Sequence, residues 1–306
     1  MRKTRAFLVG AFTVVLTVGA VRVSIGQNTT PTAVAIGSQY DTTHVYVTPG
    51  DFDRFVASLL ATFGGTKTKQ GVLTVTPTPS KTMSQLVLTP VGSLSVFGFM
   101  TPIPYPFGLE RTGYGVTDMD TAVAAARANS ADVVVTPFND PVGRDAVIQF
   151  PGAVKTQIYW HTTPPSYPAL QTIPENRIYV SADSGDAFIR SFLAFSHGNV
   201  VSDDGHAPGV EIGRPNETYR RIRIQSSFGK LSVQVTDGHL PYPYGQEITG
   251  YEVANLTETI AKAKAAGVEI LVTPYAADGR EETMVKFPGG YVAEIHAAAN
   301  QQGAPH

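Results

Sequence analysis

The chain repeats itself at a constant spacing. The segment PIPYPFGLERTGYGV, residues 102–116, returns as HLPYPYGQEITGYEV, residues 239–253. A shorter block, VVVTPF at residues 133–138, returns as ILVTPY at residues 270–275, so both offsets equal 137 (239 − 102 and 270 − 133). One constant offset across separated blocks indicates a tandem duplication, which restricts the chain to folds that are built twice.

Each copy divides again into two similar halves. In the first half, HVYVTP (44–49) predicts a strand, and the spacing of apolar residues predicts a helix over 51–63 that ends at Gly64. Short β-like runs follow, and the second half repeats this order with a helix that Asp118 caps. The order β-α-β-β-β therefore occurs four times, in modules at residues 41–100, 111–161, 176–236 and 248–297.

The N-terminus has the pattern of a secretory signal peptide. Arg2, Lys3 and Arg5 precede an apolar run over residues 6–21, and small residues allow cleavage before Gln27. The alternative is an uncleaved anchor, but the run is shorter than the roughly 20 residues that a membrane span needs. We therefore expect a secreted or periplasmic protein that has no contact with a membrane after cleavage.

These features divide the chain into segments. The predicted order is a signal peptide (1–26), a flexible N-terminus (27–40), domain one (41–161), a Pro-rich linker (162–175), domain two (176–298) and a C-terminal tail (299–306).

Composition restricts the possible partners. The chain has no cysteine, which excludes disulfides and thiolate metal sites. Removing the predicted signal peptide removes four of the 23 basic residues and leaves 19 against 25 acidic ones, a net charge of 19 − 25 = −6. An acidic chain without a dense basic stripe is a poor nucleic-acid binder. We expect a small-molecule ligand and a monomer or homodimer.

Several motifs resemble those of one superfamily. One helix opens V-x-D-x-D (116–120), a GR pair precedes the penultimate strand in both copies, and an FPGG turn (287–290) precedes the last strand. Together with VEILVTPYAADGREETMVKFPGGYVAEIHA (268–297), they look like the vicinal oxygen chelate superfamily of glyoxalases, bleomycin-resistance proteins and dioxygenases. The resemblance implies an α+β fold with two tandem domains, in which paired βαβββ modules form a curved mixed sheet around a cleft.

The resemblance also implies a divalent metal, Zn, Mn, Fe or Ni, held by residues of the first and last strands of the modules. The corresponding first-strand residues are His44, Arg111, Arg177 and Ile248, and the corresponding last-strand residues are Phe97, Gln157, Gln234 and Glu294. If modules one and four share a cleft, His44 and Glu294 are the metal ligands, and Glu294 is also the candidate catalytic residue as ligand or base.

Other residues are candidates for substrate binding. In the same pairing scheme, Arg111, Arg177 and Gln157 would form a cationic site suited to an anionic group. Tyr105 and Tyr242 lie on repeated loops that proline makes rigid, and they are either packed connectors or rings that line a cleft.

Three functions are consistent with this pattern. The first is a metal-supported lyase, isomerase or dioxygenase that acts on a small oxygen-rich molecule. The second is a non-catalytic protein that sequesters a small molecule. The third combines one working cleft with one degenerate domain. An exported protein is not expected to be a glutathione-dependent glyoxalase I.

Overall fold

The computed structural model describes residues 33–299, so the predicted signal peptide and most of the C-terminal tail lie outside the described residues. Module one comprises β1 (Asp41–Tyr46), α1 (Phe52–Phe63), β2 (Thr66–Lys67), β3 (Gly71–Leu73), β4 (Thr82–Thr89) and β5 (Gly92–Phe99). Module two comprises β6 (Arg111–Gly115), α2 (Met119–Ala128), β7 (Asp132–Asn139), β8 (Gly143–Phe150) and β9 (Val154–His161).

The second copy repeats this order. Module three comprises β10 (Glu175–Ser181), α3 (Ala182–Ser196), β11 (Asn199–Pro208), β12 (Thr218–Ser226) and β13 (Gly229–Thr236). Module four comprises β14 (Ile248–Glu252), α4 (Leu256–Ala265), β15 (Glu269–Ala277), β16 (Arg280–Lys286) and β17 (Val292–Ala298). The predicted order β-α-β-β-β is confirmed four times, with one additional short strand in module one.

Each copy forms one mixed sheet. The first sheet has the order β2-β4-β5-β1-β6-β9-β8-β7, with β3 also paired to β4, and the second has the order β11-β12-β13-β10-β14-β17-β16-β15. The first strands of the two modules pair antiparallel at the centre, and each also pairs in parallel with the last strand of its own module. The fold is thus the expected α+β arrangement of curved mixed sheets.

Helices cover one face of each sheet, and there the two copies pack against each other. One core joins modules two and three, where Phe150 contacts Phe188 and Phe192 with ring centroids 5.9 and 5.6 Å apart. The other core joins modules one and four, where Phe55 contacts Phe287 at 6.1 Å. The modules therefore pair in two ways: as neighbours within the sheets, and across the copies in the cores.

The N-terminal segment is packed where the structure describes it. Val34 is buried in the core of modules two and three, and Ala35 forms a bridge with Val116. The expected flexibility of residues 27–40 remains a prediction, while burial of Val34 and pairing of Ala35 remove these two positions from water. The residues from Ala33 onward cluster as one compact unit and are not separated at the predicted linker. The division into two domains therefore remains a prediction.

The linker is extended but packed. Tyr167 packs on Tyr40 with centroids 5.1 Å apart, and the Thr172 hydroxyl donates to the Glu252 carbonyl at 2.8 Å. Among residues 33–299, no helix is both long and apolar enough to cross a membrane.

Candidate functional site

Strand register aligns the four modules residue by residue. In every module, the last-strand candidate pairs with a residue two positions after the first-strand candidate. The pairs are Tyr46 with Phe97, Gly113 with Gln157, Tyr179 with Gln234, and Gly250 with Glu294. The four first-strand candidates are therefore structurally equivalent to one another, and so are the four last-strand candidates.

The structure separates the two residues that were expected to share a metal. His44 lies opposite Arg111 in the first sheet, whereas Glu294 lies beside Gly250 in the second sheet. The expected joint site of His44 and Glu294 is wrong, because modules one and four share a core through their helices and not a sheet face. Likewise Arg111 and Arg177 lie on different sheets, so they do not form one cationic site.

The first cleft, by which we mean the face of the first sheet that points away from its helices, holds a cavity of about 670 Å³. His44 lines it, and so do the aromatic residues Phe97 and Tyr159. Its remaining lining is contributed by the strands and loops of both modules and mixes apolar with polar side chains. Such a cavity is large enough for a small aromatic molecule.

Three buried side chains of the first cleft have polar atoms without a hydrogen-bond partner among the described residues. These atoms are Nδ1 of His44, Nη1 of Arg111 and Oε1 of Gln157. The remaining groups of Arg111 donate to the carbonyls of Pro106 and Leu109. These three residues occupy the candidate ligand positions of the first copy, so polar groups converge there unsatisfied.

Burial shifts the pKa values of two side chains in the first cleft, His44 and Asp145. Burial, and then the Arg111 charge, lower the pKa of His44 to about 3, although Gln157 opposes this shift. Burial and the charge of Asp140 raise the pKa of Asp145 well above its ordinary value. The Gln157 amide donates to Asp145 at 2.8 Å. His44 is therefore neutral at pH 7, and Asp145 favours its neutral form.

Arg111 is the cationic residue of this set. Its guanidinium carbon lies 5.6 Å from the centre of the Phe107 ring, and Phe107 belongs to the apolar cluster that includes Phe97. Arg111 pairs in register with His44, so the two side chains lie on the same face of the sheet, but Arg111 lines a separate cavity of about 280 Å³ and not the 670 Å³ cavity. No described carboxylate pairs with Arg111 within 4.0 Å, so its charge is free to meet an anionic or strongly accepting group.

A glycine makes room for His44. A Cβ atom at Gly113 would overlap the His44 imidazole, and a Cβ atom at the equivalent Gly250 would overlap the Glu294 carboxylate. Both glycines thus leave space for the polar side chain that lies over them.

The interior of the second sheet is filled by ion pairs. The Arg177 Nη1 lies 3.2 Å from Glu282 and 3.9 Å from Glu294, and all three side chains are buried. Arg177 also donates to the Glu211 carbonyl at 3.2 Å. Glu211 comes from a short 3-10 helix, Gly209–Ile212, in the β11–β12 connection and pairs with Arg221. The cation of the second sheet is therefore paired with carboxylates, although Nε of Arg177 and Oε1 of Glu294 have no hydrogen-bond partner among the described residues.

His296 joins Glu294 in this network. Its Nδ1 lies 2.9 Å from the Glu294 carboxylate. Although burial opposes it, the carboxylate raises the pKa of His296. The Glu294 carboxylate therefore favours the charged form of the imidazole.

The donor set does not fit the divalent metal that the fold implies. In each sheet an arginine occupies a candidate ligand position, Arg111 in the first and Arg177 in the second, and guanidinium is a cation without a lone pair to donate. Ile248 occupies another such position and has no donor atom. Across residues 33–299, no group of three or more His, Cys, Asp or Glu side chains is placed to hold an ion.

The two loop tyrosines lie at the surface. Tyr105 is 76% exposed and Tyr242 is 66% exposed, and each precedes a cis proline. The Tyr105 hydroxyl accepts from Lys155 at 2.9 Å. Neither tyrosine lines the 670 Å³ cavity.

Sequence reasoning did not identify several residues of these networks. Asp145 and Glu282 lie in the penultimate strands, β8 and β16, outside the positions that the motifs mark. The pair Glu110 and Glu247 stands in the repeated blocks at the constant offset of 137 (247 − 110) and could have been found there. Both line a smaller cavity of about 280 Å³ at the junction of modules two and three.

Comparison with known proteins supports the fold. No protein-family model matches the chain, and no curated sequence does. A mutant of 4-hydroxymandelate synthase from Streptomyces coelicolor is similar in structure, with a TM-score of 0.57, 11% identity, and coverage of 89% of this chain and 95% of that one.

Two further structures are similar over most of this chain. A fusion protein of a xylose isomerase-like TIM barrel and 4-hydroxyphenylpyruvate dioxygenase has a TM-score of 0.53 and 14% identity, with 90% of this chain and 51% of that one covered. A Mn(II)-bound glyoxalase from Novosphingobium aromaticivorans has a TM-score of 0.52 and 11% identity, with 88% and 84% covered. At these identities the comparison establishes the architecture alone.

Proposed function

Because the chain has the vicinal oxygen chelate fold, we propose that it is an exported protein that binds a small molecule in the first cleft without catalysing a reaction on it. The second sheet then serves as a structural partner. This proposal combines two of the three functions that the sequence allows: sequestration of a small molecule, and one working cleft beside one degenerate domain.

One contrast between the copies supports this proposal. The first cleft holds a cavity of about 670 Å³ that His44 lines, and no described carboxylate lies within 4.0 Å of Arg111, whereas Arg177 in the second sheet is paired with carboxylates. Buried polar atoms without a partner remain in both sheets: on His44, Arg111 and Gln157 in the first, and on Arg177 and Glu294 in the second. A buried polar group that lacks a partner costs about 1–3 kcal/mol. A ligand that satisfies these groups recovers that cost, so the first cleft gains from binding.

The same residues define the ligand. Neutral His44 lines the cavity and donates or accepts one hydrogen bond, while Arg111, which lies beside His44 on the same sheet face, favours an anionic acceptor such as a carboxylate. Phe97 and Tyr159 offer ring surface in a cavity of about 670 Å³. The best fit is an aromatic molecule that carries an acidic or strongly accepting group with a neighbouring oxygen.

Calorimetric titration of the chain from residue 27 with 4-hydroxymandelate, and with its uncharged amide, tests the proposal. We expect the acid to bind about tenfold or more tightly than the amide, since a charge-assisted hydrogen bond contributes about 1.5–3 kcal/mol. Arg111→Met should abolish the difference, and Gly113→Ala should weaken both ligands by displacing His44.

The matched control is Gly250→Ala, which crowds Glu294 in the second sheet and should leave binding unchanged. Metal analysis of the purified protein is the measurement that could contradict the proposal. About one Zn, Mn, Fe or Ni ion per chain, lost in His44→Ala, would support the metal-supported enzyme and reject the proposal.

A further inference from the structure

Arg177 occupies, in the second sheet, the position that His44 occupies in the first. Arg177 pairs in register with Ser232, as His44 pairs with Ser95. The side chains of Arg177, Glu282 and Glu294 are 3%, 2% and 1% exposed. A cation is therefore enclosed with two carboxylates at the point where the fold places candidate metal ligands.

We propose that the Arg177 guanidinium replaces a divalent cation in the second sheet, so that Glu294 is retained as the counter-ion of a built-in cation. Burying a carboxylate is costly unless a positive charge accompanies it. Ile248, the remaining candidate ligand position on the first strands of this sheet, supplies no charge, and the guanidinium lies 3.9 Å from Glu294.

The surroundings of Arg177 distinguish a replacement from an ordinary ion pair. Glu282 accepts a hydrogen bond from Tyr275 at 2.9 Å, and Glu294 contacts His296 at 2.9 Å. Two carboxylates thus flank the guanidinium, one from β16 and one from β17, and an imidazole lies beside the second carboxylate. Shortening Arg177 leaves these donors around an empty volume, where small side-chain shifts let them converge on an ion.

The inference is independent of ligand binding in the first cleft, and the variant Arg177→Ala tests it. The full chain from residue 27 is titrated with ZnCl₂ or MnCl₂ alone, and thermal unfolding is followed with and without the metal. We expect the wild-type Tm to be insensitive to either metal and to EDTA. The Tm of Arg177→Ala should be lower and should rise by several degrees as about one equivalent of metal binds.

Two controls define the site. The double variant Arg177→Ala/Glu294→Gln should lose the metal-dependent rise, because it removes one of the two carboxylates that would hold the ion. Arg220→Ala removes an exposed arginine that pairs with Asp186 and Asp203, and it should show no response to metal.

Two outcomes would overturn the inference. One is a wild-type protein that itself binds one equivalent of Zn²⁺ or Mn²⁺ and loses it in Glu294→Gln. The other is a folded Arg177→Ala that binds no metal. If Arg177→Ala does not fold, refolding in ZnCl₂ decides: recovery of the circular dichroism spectrum supports the replacement, and failure to recover contradicts it. Arg177→Lys, which keeps a cation, should fold without metal.

Discussion

At the scale of single residues, two repeated glutamates link the copies. Glu247 reaches from the second copy into the first, where it accepts hydrogen bonds from the Thr112 backbone and hydroxyl at 2.8 and 2.9 Å. Burial raises the pKa of Glu247 to about 7, although Thr112 and Arg111 oppose the shift. Burial and the Glu247 charge raise the pKa of Glu110 well above its ordinary value. We therefore expect the junction between the copies to be sensitive to pH.

The sign of this effect follows from proton binding. Because the folded pKa of Glu247 is above the ordinary value of 4.5, its contribution is fully present below pH 4.5 and is lost as pH rises through about 7. Glu247→Gln keeps an acceptor oxygen and removes the titration. We expect the free energy of unfolding of the wild type to fall from pH 5 to pH 8 by about 1–3 kcal/mol more than that of Glu247→Gln.

Urea unfolding at pH 5, 6, 7 and 8 measures this difference. The exposed substitution Glu281→Gln is the control and should follow the wild type. Parallel pH profiles of the wild type and Glu247→Gln would contradict the prediction.

At the scale of elements, the two copies begin their second helices in the same way. Asp118 accepts a hydrogen bond from the Thr121 backbone at 2.8 Å, and Asn255 accepts one from Glu258 at 3.0 Å. These caps are 137 residues apart (255 − 118). Each satisfies one of the free N–H groups in the first turn and so sets where α2 and α4 begin.

Removing either cap should cost a similar amount. We expect Asp118→Ala and Asn255→Ala each to lower the free energy of unfolding by about 1 kcal/mol. Ser181→Ala is the matched control, since Ser181 precedes α3 without a side-chain capping bond. Chemical denaturation of the three variants gives the values, and an equal loss in all three would show that capping is not the cause.

At the scale of the whole molecule, the two largest cores are each shared between the copies. Tyr114 of the first copy stacks on Phe228 of the second with centroids 4.4 Å apart, and Phe55 of the first contacts Tyr291 of the second at 5.7 Å. Each helix-covered face therefore depends on the other copy for the burial of its aromatic side chains.

This dependence predicts that the halves do not fold alone. Separate fragments 33–167 and 168–299 should lack cooperative thermal unfolding, because each exposes apolar surface that the other covers. Mixing them should restore a cooperative transition in circular dichroism. A sharp transition in either fragment by itself would show that one copy is an independent domain.

The sequence by itself determined what depends on local pattern. The offset of 137 residues established the duplication, helical and strand spacing predicted the order of elements, and Asp118 was recognised as a cap. The equivalence of His44 with Arg177, and of Gln157 with Glu294, also followed from the sequence, because copies of one module keep the same strand register.

Only the tertiary structure decided how the modules combine. Modules one and two share a sheet while modules one and four share a core, and apolar spacing is the same for both kinds of contact. His44 and Glu294 are separated for this reason. Glu282, which pairs with Arg177 in the structure, is 105 residues away from it along the sequence. This pair forms because β10 and β16 fold into one sheet, and no local sequence pattern encodes that pairing.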